Sequence, residues 1–409
     1  MRLKKSYFLM ISILGLVAIF SSTMSKSPIL PLFAMSLITS PQEVQFIGYV
    51  IAASTIPGII VSAFAGRLSD MYGREKLVLL SIVIFASAPF FYLFATNIWI
   101  LMIVRFYHGF STAIFVPVAT SAIAELYPEQ KGEKISIFSS ITLIGRFFAP
   151  ITGGFILYVT NYYYYGVYLV CGFSGIIAFF FAMFYYKTSK SRSTQADISK
   201  RELFTIKEFL RGLKDVISHK KIMIISIIQA SQYFAYGIIE LYFILYIRFL
   251  KYEPWLIGLM LAILTFMLIV AKPFMGHLSD KLGRKHVILG GLLLGGFVTL
   301  LIPYTANLIW LFVILISFGI GMASVTSSTP AYITDLLEKE NYGSAIGVLS
   351  TIMDIGQTIG PILSGYILFF LSYQGVFLMT GFTLLFAALL FFISFFLLKK
   401  KHINELILK

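Results

Sequence analysis

Charge is scarce in this chain. Asp, Glu, Lys and Arg make up 12% of its 409 residues, about half the share of an ordinary soluble domain. Cysteine is scarcer still. Cys171 stands alone, which excludes an internal disulfide and a cysteine-built metal cluster. No glycine-rich phosphate loop, metal-ligand cluster or nucleophile elbow is present. The sequence therefore reads as no enzyme and implies no cofactor. Acids are the rarer charge, 18 against 32 bases, for a net charge of +14. Those bases sit in short loops between apolar runs, a pattern that suits an anionic lipid surface and not a nucleic acid.

What fills the chain instead is hydrocarbon: 58% hydrophobic residues and a mean hydropathy of +0.89. A helix needs about 20 residues to cross the apolar layer of a membrane. The sequence predicts twelve such helices, over 7–35, 46–66, 78–96, 98–124, 135–159, 166–186, 222–247, 255–275, 287–305, 308–333, 344–370 and 375–398. Barrel strands would alternate polar and apolar residues, and these runs do not. The stretch after Arg2, Lys4 and Lys5 reads as a first span and not as a cleaved leader. With the N-terminus inside, 26 of the 32 Lys and Arg fall in the two tails and the inner loops, and only Arg248 and Lys251 lie in outer loops. Both termini are therefore expected in the cytoplasm.

The expected fold is an all-α membrane protein of twelve transmembrane helices, arranged as two six-helix bundles in pseudo-twofold repeat. Residues 1–186 form the first bundle, 187–221 a cytoplasmic linker, and 222–409 the second bundle with a short basic tail. In the linker, Leu203, Phe204, Ile206, Phe209, Leu210, Leu213 and Ile217 are spaced for an amphipathic helix lying on the membrane.

The repeat is written in one loop. Gly66-Arg67-Leu68-Ser69-Asp70-Met71-Tyr72-Gly73-Arg74 returns 210 residues later as Gly276-His277-Leu278-Ser279-Asp280-Lys281-Leu282-Gly283-Arg284. At the same offset Asn97 matches Asn307, Gly109 matches Gly319, and Glu125 matches Asp335. One inserted residue later, Gly145, Pro150 and Gly154 match Gly356, Pro361 and Gly365. A duplicated half embedded in membrane is the architecture of a secondary transporter, with a substrate site expected between the halves near mid-membrane.

These residues resemble the major facilitator superfamily over essentially the whole chain, and most closely its twelve-span drug/proton antiporters. The doubled loop resembles the family signature between spans 2 and 3. Arg105-Phe106-Tyr107-His108-Gly109 resembles its Arg-x-x-x-Gly motif in span 4. Gly145 to Gly154 resembles the antiporter motif of span 5, with Ala149 where that motif carries glycine. Pro28-Ile29-Leu30-Pro31 resembles a proline pattern of span 1, which here carries Lys26 and no acid.

Physical roles follow for the frame. Gly66 and Gly276 are expected to end their helices in a tight turn, and Asp70 and Asp280 to cap a neighbouring helix or meet a base. With Gly73, Arg74, Gly283 and Arg284 they make an expected cytoplasmic latch that holds one of two states. Gly145, Pro150, Gly153 and Gly154 of span 5, and Gly356, Gly360, Pro361 and Gly365 of span 11, are expected to form closely packed, bendable seams.

Six charges lie inside spans: Lys26, Arg105, Arg146, Glu240, Lys272 and Asp354. Each costs about 2.5–3.5 kcal/mol near the bilayer centre on insertion scales. None recurs at the matching position of the other half. The repeated residues thus read as the moving frame and the unrepeated ones as candidates for coupling or substrate binding. Glu240 and Asp354 are the acids, suited to loading a proton. The resemblance implies a proton-coupling role for Arg105. His108 is the one histidine within a span and either titrates or is buried and hydrogen-bonded. Arg146 lies near the midplane, and Lys272 is placed to reach the inner surface. Lys26 and Glu240 lie at similar depth, about 27–29 Å from the inner side, and are expected to pair across the cleft. Span 7 adds Gln229, Gln232, Tyr233, Phe234, Tyr236, Tyr242 and Phe243, a mixture that suits amphipathic ligands.

The sequence thus implies a monomeric secondary active transporter of the cell membrane, surrounded by lipid, moving a small-molecule substrate by alternating access with protons as coupling ion. A proton-driven exporter of amphipathic compounds is the first expectation. An importer or symporter of a small organic anion is the alternative, suggested by four bases against two acids inside spans. A lipid translocator and a non-transporting membrane receptor are the others.

Overall fold

Backbone that crosses hydrocarbon has to satisfy its own hydrogen bonds, and helices do so within one segment. The computed structural model describes residues 2–190, 220–336 and 342–397, and every regular element among them is a helix. The surface helix expected in the linker lies outside the described residues. In chain order the elements are α1 (Arg2–Lys26), α2 (Ile29–Ser36), α3 (Ile47–Tyr72), α4 (Arg74–Phe91), α5 (Ile98–Leu126), α6 (Lys131–Val159) and α7 (Tyr164–Lys190). There follow α8 (Lys220–Ile238), α9 (Ile244–Phe249), α10 (Pro254–Leu282), α11 (Arg284–Leu301), α12 (Leu308–Thr334) and α13 (Tyr342–Phe392).

Eleven helical stretches among the described residues are long and apolar enough to cross a membrane. The first expected span is two elements, α1 and α2, parted at Pro28, which lacks the N–H that would continue the helix. The seventh is interrupted by a wide turn of π type over Ile239–Phe243. The last stretch, Leu349–Phe395, contains Ser372 at φ 65° and ψ −175°, where two helices meet across a kink.

The repeat is present in the backbone. Gly73 has φ 98° and ψ 130°, and Gly283 has φ 89° and ψ 137°. Asn97 caps α5 by accepting from the Ile100 amide at 3.0 Å, and Asn307 caps α12 by accepting from Ile309 at 3.0 Å. Short 3₁₀ turns precede both caps, at Tyr92–Phe94 and Ile302–Tyr304. One expectation is corrected. Gly66 and Gly276 lie inside α3 and α10, which run on to Tyr72 and Leu282. The turns are made at Gly73 and Gly283, whose positive φ is strained for any residue with a Cβ.

The helices pack into two compact units. One holds the described residues of Met1–Leu203 together with Ile244–Ala262, and the other those of Phe204–Phe243 and Ile263–Lys409. In the first, α3 packs on α5, α4 on α7 and α1 on α6, around buried Ile82, Phe85, Phe115, Val118 and Phe138. In the second, α8 packs on α13, and α11 packs on both α12 and α13.

Candidate functional site

The first unit contains a buried polar cluster that begins with two residues one helical turn apart. Arg105 and His108 share a face of α5, and each is only 3% exposed. Arg105 donates from Nη1 to the Tyr92 hydroxyl at 3.0 Å and from Nη2 to Ser54 Oγ at 2.7 Å. The same Tyr92 hydroxyl lies 3.1 Å from His108 Nδ1. A guanidinium can only donate, so the Tyr92 oxygen accepts from Arg105 while it also bonds His108 Nδ1. The Tyr92 ring is held by stacking on Tyr168, with centroids 4.2 Å apart and planes 4° from parallel.

Gly109 explains how Ser54 reaches Arg105. A Cβ at Gly109 would collide with the Ser54 carbonyl, so glycine lets α3 and α5 close to backbone contact. Among the described residues Arg105 has no carboxylate partner. Two hydroxyls accept from its guanidinium, in apolar surroundings where a cation without hydrogen bonds would be costly. The cluster has no copy in the second half: Ser54, Tyr92, Arg105 and His108 correspond to Leu264, Ile302, Leu315 and Phe318.

On α6, Gly145 sits where a Cβ would be 3.0 Å from the Leu16 carbonyl, and Gly153 packs on Met24. Gly154 leaves room for the Pro254 carbonyl, and Gly258 for that of Pro150. The expected seam is thus a backbone contact of α6 with α1 and with the start of α10. Arg146 is exposed beside it. An apolar cavity of about 430 Å³ lies along this seam, lined by Leu16, Phe20, Gly145, Phe148 and Ile177 among others.

In the second unit the acid sits on the wide turn. Glu240 is half-buried and accepts at 3.2 Å from Gln357 Nε2 of α13. Next to it, the Tyr242 hydroxyl donates to the Pro361 carbonyl at 2.8 Å. Gly356 and Gly360 make room for the carbonyls of Ala230 and Phe234. Asp354 is half-buried one turn before Gln357, and the Thr358 hydroxyl donates to its backbone carbonyl at 2.6 Å. Lys26, at the end of α1, is half-buried, and Lys272 on α10 is exposed.

The doubled loop carries a doubled ion pair. Arg74 meets Glu125 at 2.7 Å, and at the same offset Arg284 meets Asp335 at 3.2 Å. Each ties the turn after one helix to the end of another within its own unit. Asp280 pairs with Arg284 one turn on. The side chain of Asp70 lies outside those described.

Several of these partners carry no formal charge, so a comparison of charges alone across the repeat does not find them. Tyr92, Ser54 and Gln357 are the main cases. Applying the same repeat comparison to neutral polar residues would have found Tyr92 against Ile302 and Ser54 against Leu264. A third cluster was also missed. Arg248 lies 4.4 Å over the Tyr162 ring, and the Tyr162 hydroxyl donates to Glu253 at 3.2 Å. Tyr162 sits in the short turn between α6 and α7, where burial pushes its phenol up to about 12, with Arg248 opposing and Glu253 adding to the shift.

Long apolar helices built on a repeated frame, with unrepeated charges set into it, define a membrane transporter. The chain belongs to the Major Facilitator Superfamily, whose family model matches residues 11–269 and again 225–406. It is a multi-pass protein of the cell membrane and not an enzyme. It is 24% identical over 412 residues to a multi-drug resistance efflux pump PmrA homolog of Lactococcus lactis, covering 97% of each chain. It is 26% identical over 348 residues to the quinolone resistance protein NorA of Staphylococcus aureus, covering 83% of this chain and 84% of that one. Among solved structures, a bacterial homolog of the human lysosomal transporter Spinster, inward-facing and unoccupied, superposes with a TM-score of 0.77 at 14% identity, over 96% of each chain. The nucleoside transporter NupG gives 0.77 at 14% identity, over 95% of this chain and 99% of that one.

Proposed function

We propose that the chain is a proton-coupled exporter of amphipathic small molecules that works by alternating access. What carries the reading is the split between a repeated frame and unrepeated charges, in a chain whose relatives include drug efflux pumps along nearly its full length. The frame is twelve spans in two bundles, 1–186 and 222–409, joined by 187–221, with both termini in the cytoplasm and the monomer as working unit. The stretch α13 supports the twelfth span. Its 51 residues would make a straight helix of about 77 Å, against an apolar layer of about 30 Å.

In this reading Arg105 and Glu240 divide the work. Arg105 is a fixed cation in the first half, and Glu240, reachable and half-buried, is the acid that takes and releases the coupling proton. Asp354 is a second acid on the same side of the molecule's repeat. The ion pairs at Arg74 and Arg284 hold the frame in one state. A small organic anion is the weaker substrate reading, because the most buried base, Arg105, is already closed off by Ser54 and Tyr92.

The test is transport of ethidium, a lipophilic cation, in proteoliposomes with an imposed pH gradient. The expected result is accumulation or efflux that follows the gradient and collapses with a protonophore. Movement of ethidium that ignores the gradient would remove proton coupling.

A further inference from the structure

The backbone around Glu240 is not α-helical, and another helix is packed closely against it. The hydrogen-bond pattern widens over Ile239–Phe243, between α8 and α9. Single wide turns of this kind interrupt a helix and re-aim its side chains. Just before the turn, α8 is pressed against α13 by glycine. Gly356 accommodates the Ala230 carbonyl and Gly360 that of Phe234. In return a Cβ at Gly237 would stand 2.7 Å from the Gln357 carbonyl. That carbonyl lacks its usual helical donor, because the residue four places on is Pro361.

Two side-chain bonds then cross between the turn and the proline segment, one in each direction. The Tyr242 hydroxyl, fully buried, donates to the Pro361 carbonyl at 2.8 Å. From the other side Gln357 Nε2 donates to Glu240 Oε2 at 3.2 Å. The first bond is neutral. The second is charge-assisted while Glu240 is ionised, and such bonds are roughly twice as strong as neutral ones. The first half holds no equivalent: Gln357 corresponds to Arg146, which is exposed, and Glu240 corresponds to Leu30.

We propose that Gln357 is a positioning residue for Glu240, and that together with Tyr242 on Pro361 it fastens the turn carrying Glu240 to the proline segment of α13. Neutralising Glu240 weakens one of the two ties and leaves the other. The proline segment therefore loosens without letting go. The state of the acid on the seventh span is in this way passed to the eleventh. The inference rests on the reading of Glu240 as the coupling acid, but its first test needs no substrate.

That test is amide hydrogen–deuterium exchange on the full chain in lipid nanodiscs. Glu240→Gln, an isosteric change, is expected to speed exchange several-fold in 239–243 and also in 356–364. Gln357→Leu is expected to speed both segments about tenfold, the loss of one hydrogen bond to a charged group. The double variant should be no faster than Gln357→Leu alone. Unchanged exchange in 356–364 for Glu240→Gln, or additive effects in the double variant, overturns the proposal. A second arm measures gradient-driven ethidium transport in the same lipid. Gln357→Leu should lower the maximal rate with KM within about twofold, and should add nothing in the Glu240→Gln background. Gln357→Asn, which keeps a shorter donor, should recover part of the rate. If wild type moves no ethidium while exchange behaves as expected, the exporter reading fails and the tie between α8 and α13 stands.

Discussion

Arg105 is a cation held by two hydroxyls, and one of them, the Tyr92 phenol, also bonds His108. Tyr92 accepts from Arg105 and bonds His108 Nδ1, so removing its oxygen takes a partner from two buried groups at once. Unpaired buried polar groups cost about 1–3 kcal/mol each. Tyr92→Phe should therefore lower the thermal unfolding temperature measurably and cut gradient-driven transport about tenfold. Unchanged stability and unchanged rate would mean that the hydroxyl is idle. Arg105→Lys should keep only a small part of the wild-type rate, and Arg105→Ala none. An ammonium is a point charge and cannot span Tyr92 and Ser54 as the guanidinium fork does. Normal proton-coupled accumulation by Arg105→Ala would exclude a coupling role. Arg105 and His108 were legible in the sequence because a charge or an imidazole in an apolar run stands out. Tyr92 and Ser54 stand out less, since an aromatic or a small hydroxyl is ordinary in a membrane helix; their contrast with Ile302 and Leu264 is in the sequence, but their bonds to Arg105 required the fold.

At the scale of elements, the turns of the doubled loop offer a sharp comparison. A Cβ at Gly276 would meet nothing within 4 Å, whereas Gly283 has φ 89°. Gly276→Ala should be neutral or stabilising by up to about 1 kcal/mol, the helix propensity of alanine over glycine. Gly283→Ala should destabilise by about 1–3 kcal/mol, the cost of a strained backbone region. Thermal unfolding of the two variants checks this, and equal effects would return the turn to Gly276. The membrane-length helices were legible as apolar runs of about 20 residues, eleven such stretches being found among the described residues where twelve spans are expected. The wide turn at Ile239–Phe243 was not. Gly356, Gly360 and Pro361, far off in sequence, pack against the helix that carries it, and no local pattern in Ile239–Phe243 announces it. The expected seams at Gly145 and Gly360 were legible as glycine spacing, but their partners, Leu16 and Phe234, required the fold.

The Tyr162 cluster belongs to this scale too. Its phenol is raised from 10.0 to about 12, so the folded state holds this proton more tightly than the unfolded one. Any stability it contributes is present at lower pH and is lost only as pH rises through about 10 to 12. Between pH 5 and 9 Tyr162→Phe and wild type should therefore show parallel pH profiles of transport. A shape difference inside that window would mean that the phenol, or Glu253 through it, takes part in the titration.

For the molecule as a whole, duplication makes the two ion pairs a controlled experiment. Arg74–Glu125 and Arg284–Asp335 are the same contact built twice, at one offset, in separate units. Glu125 and Asp335 are about half exposed, at 46% and 52%, and pairs of that kind contribute about 0–1 kcal/mol to stability. So small an energy cannot hold the fold, but it can tilt a two-state equilibrium. About 1 kcal/mol shifts a population roughly fivefold. If the pairs bias the transport cycle, Glu125→Arg should slow gradient-driven transport while leaving the unfolding temperature nearly unchanged. Adding Arg74→Glu, which restores the pair in reverse, should recover most of the rate. At Arg284 and Asp335 the reversal should recover less, because Arg284→Glu also sets a carboxylate against Asp280. Because the two pairs share no residue, their effects on stability should add to within about 0.5 kcal/mol. Reversed pairs that restore stability but not rate would reduce both contacts to simple fasteners of their own units.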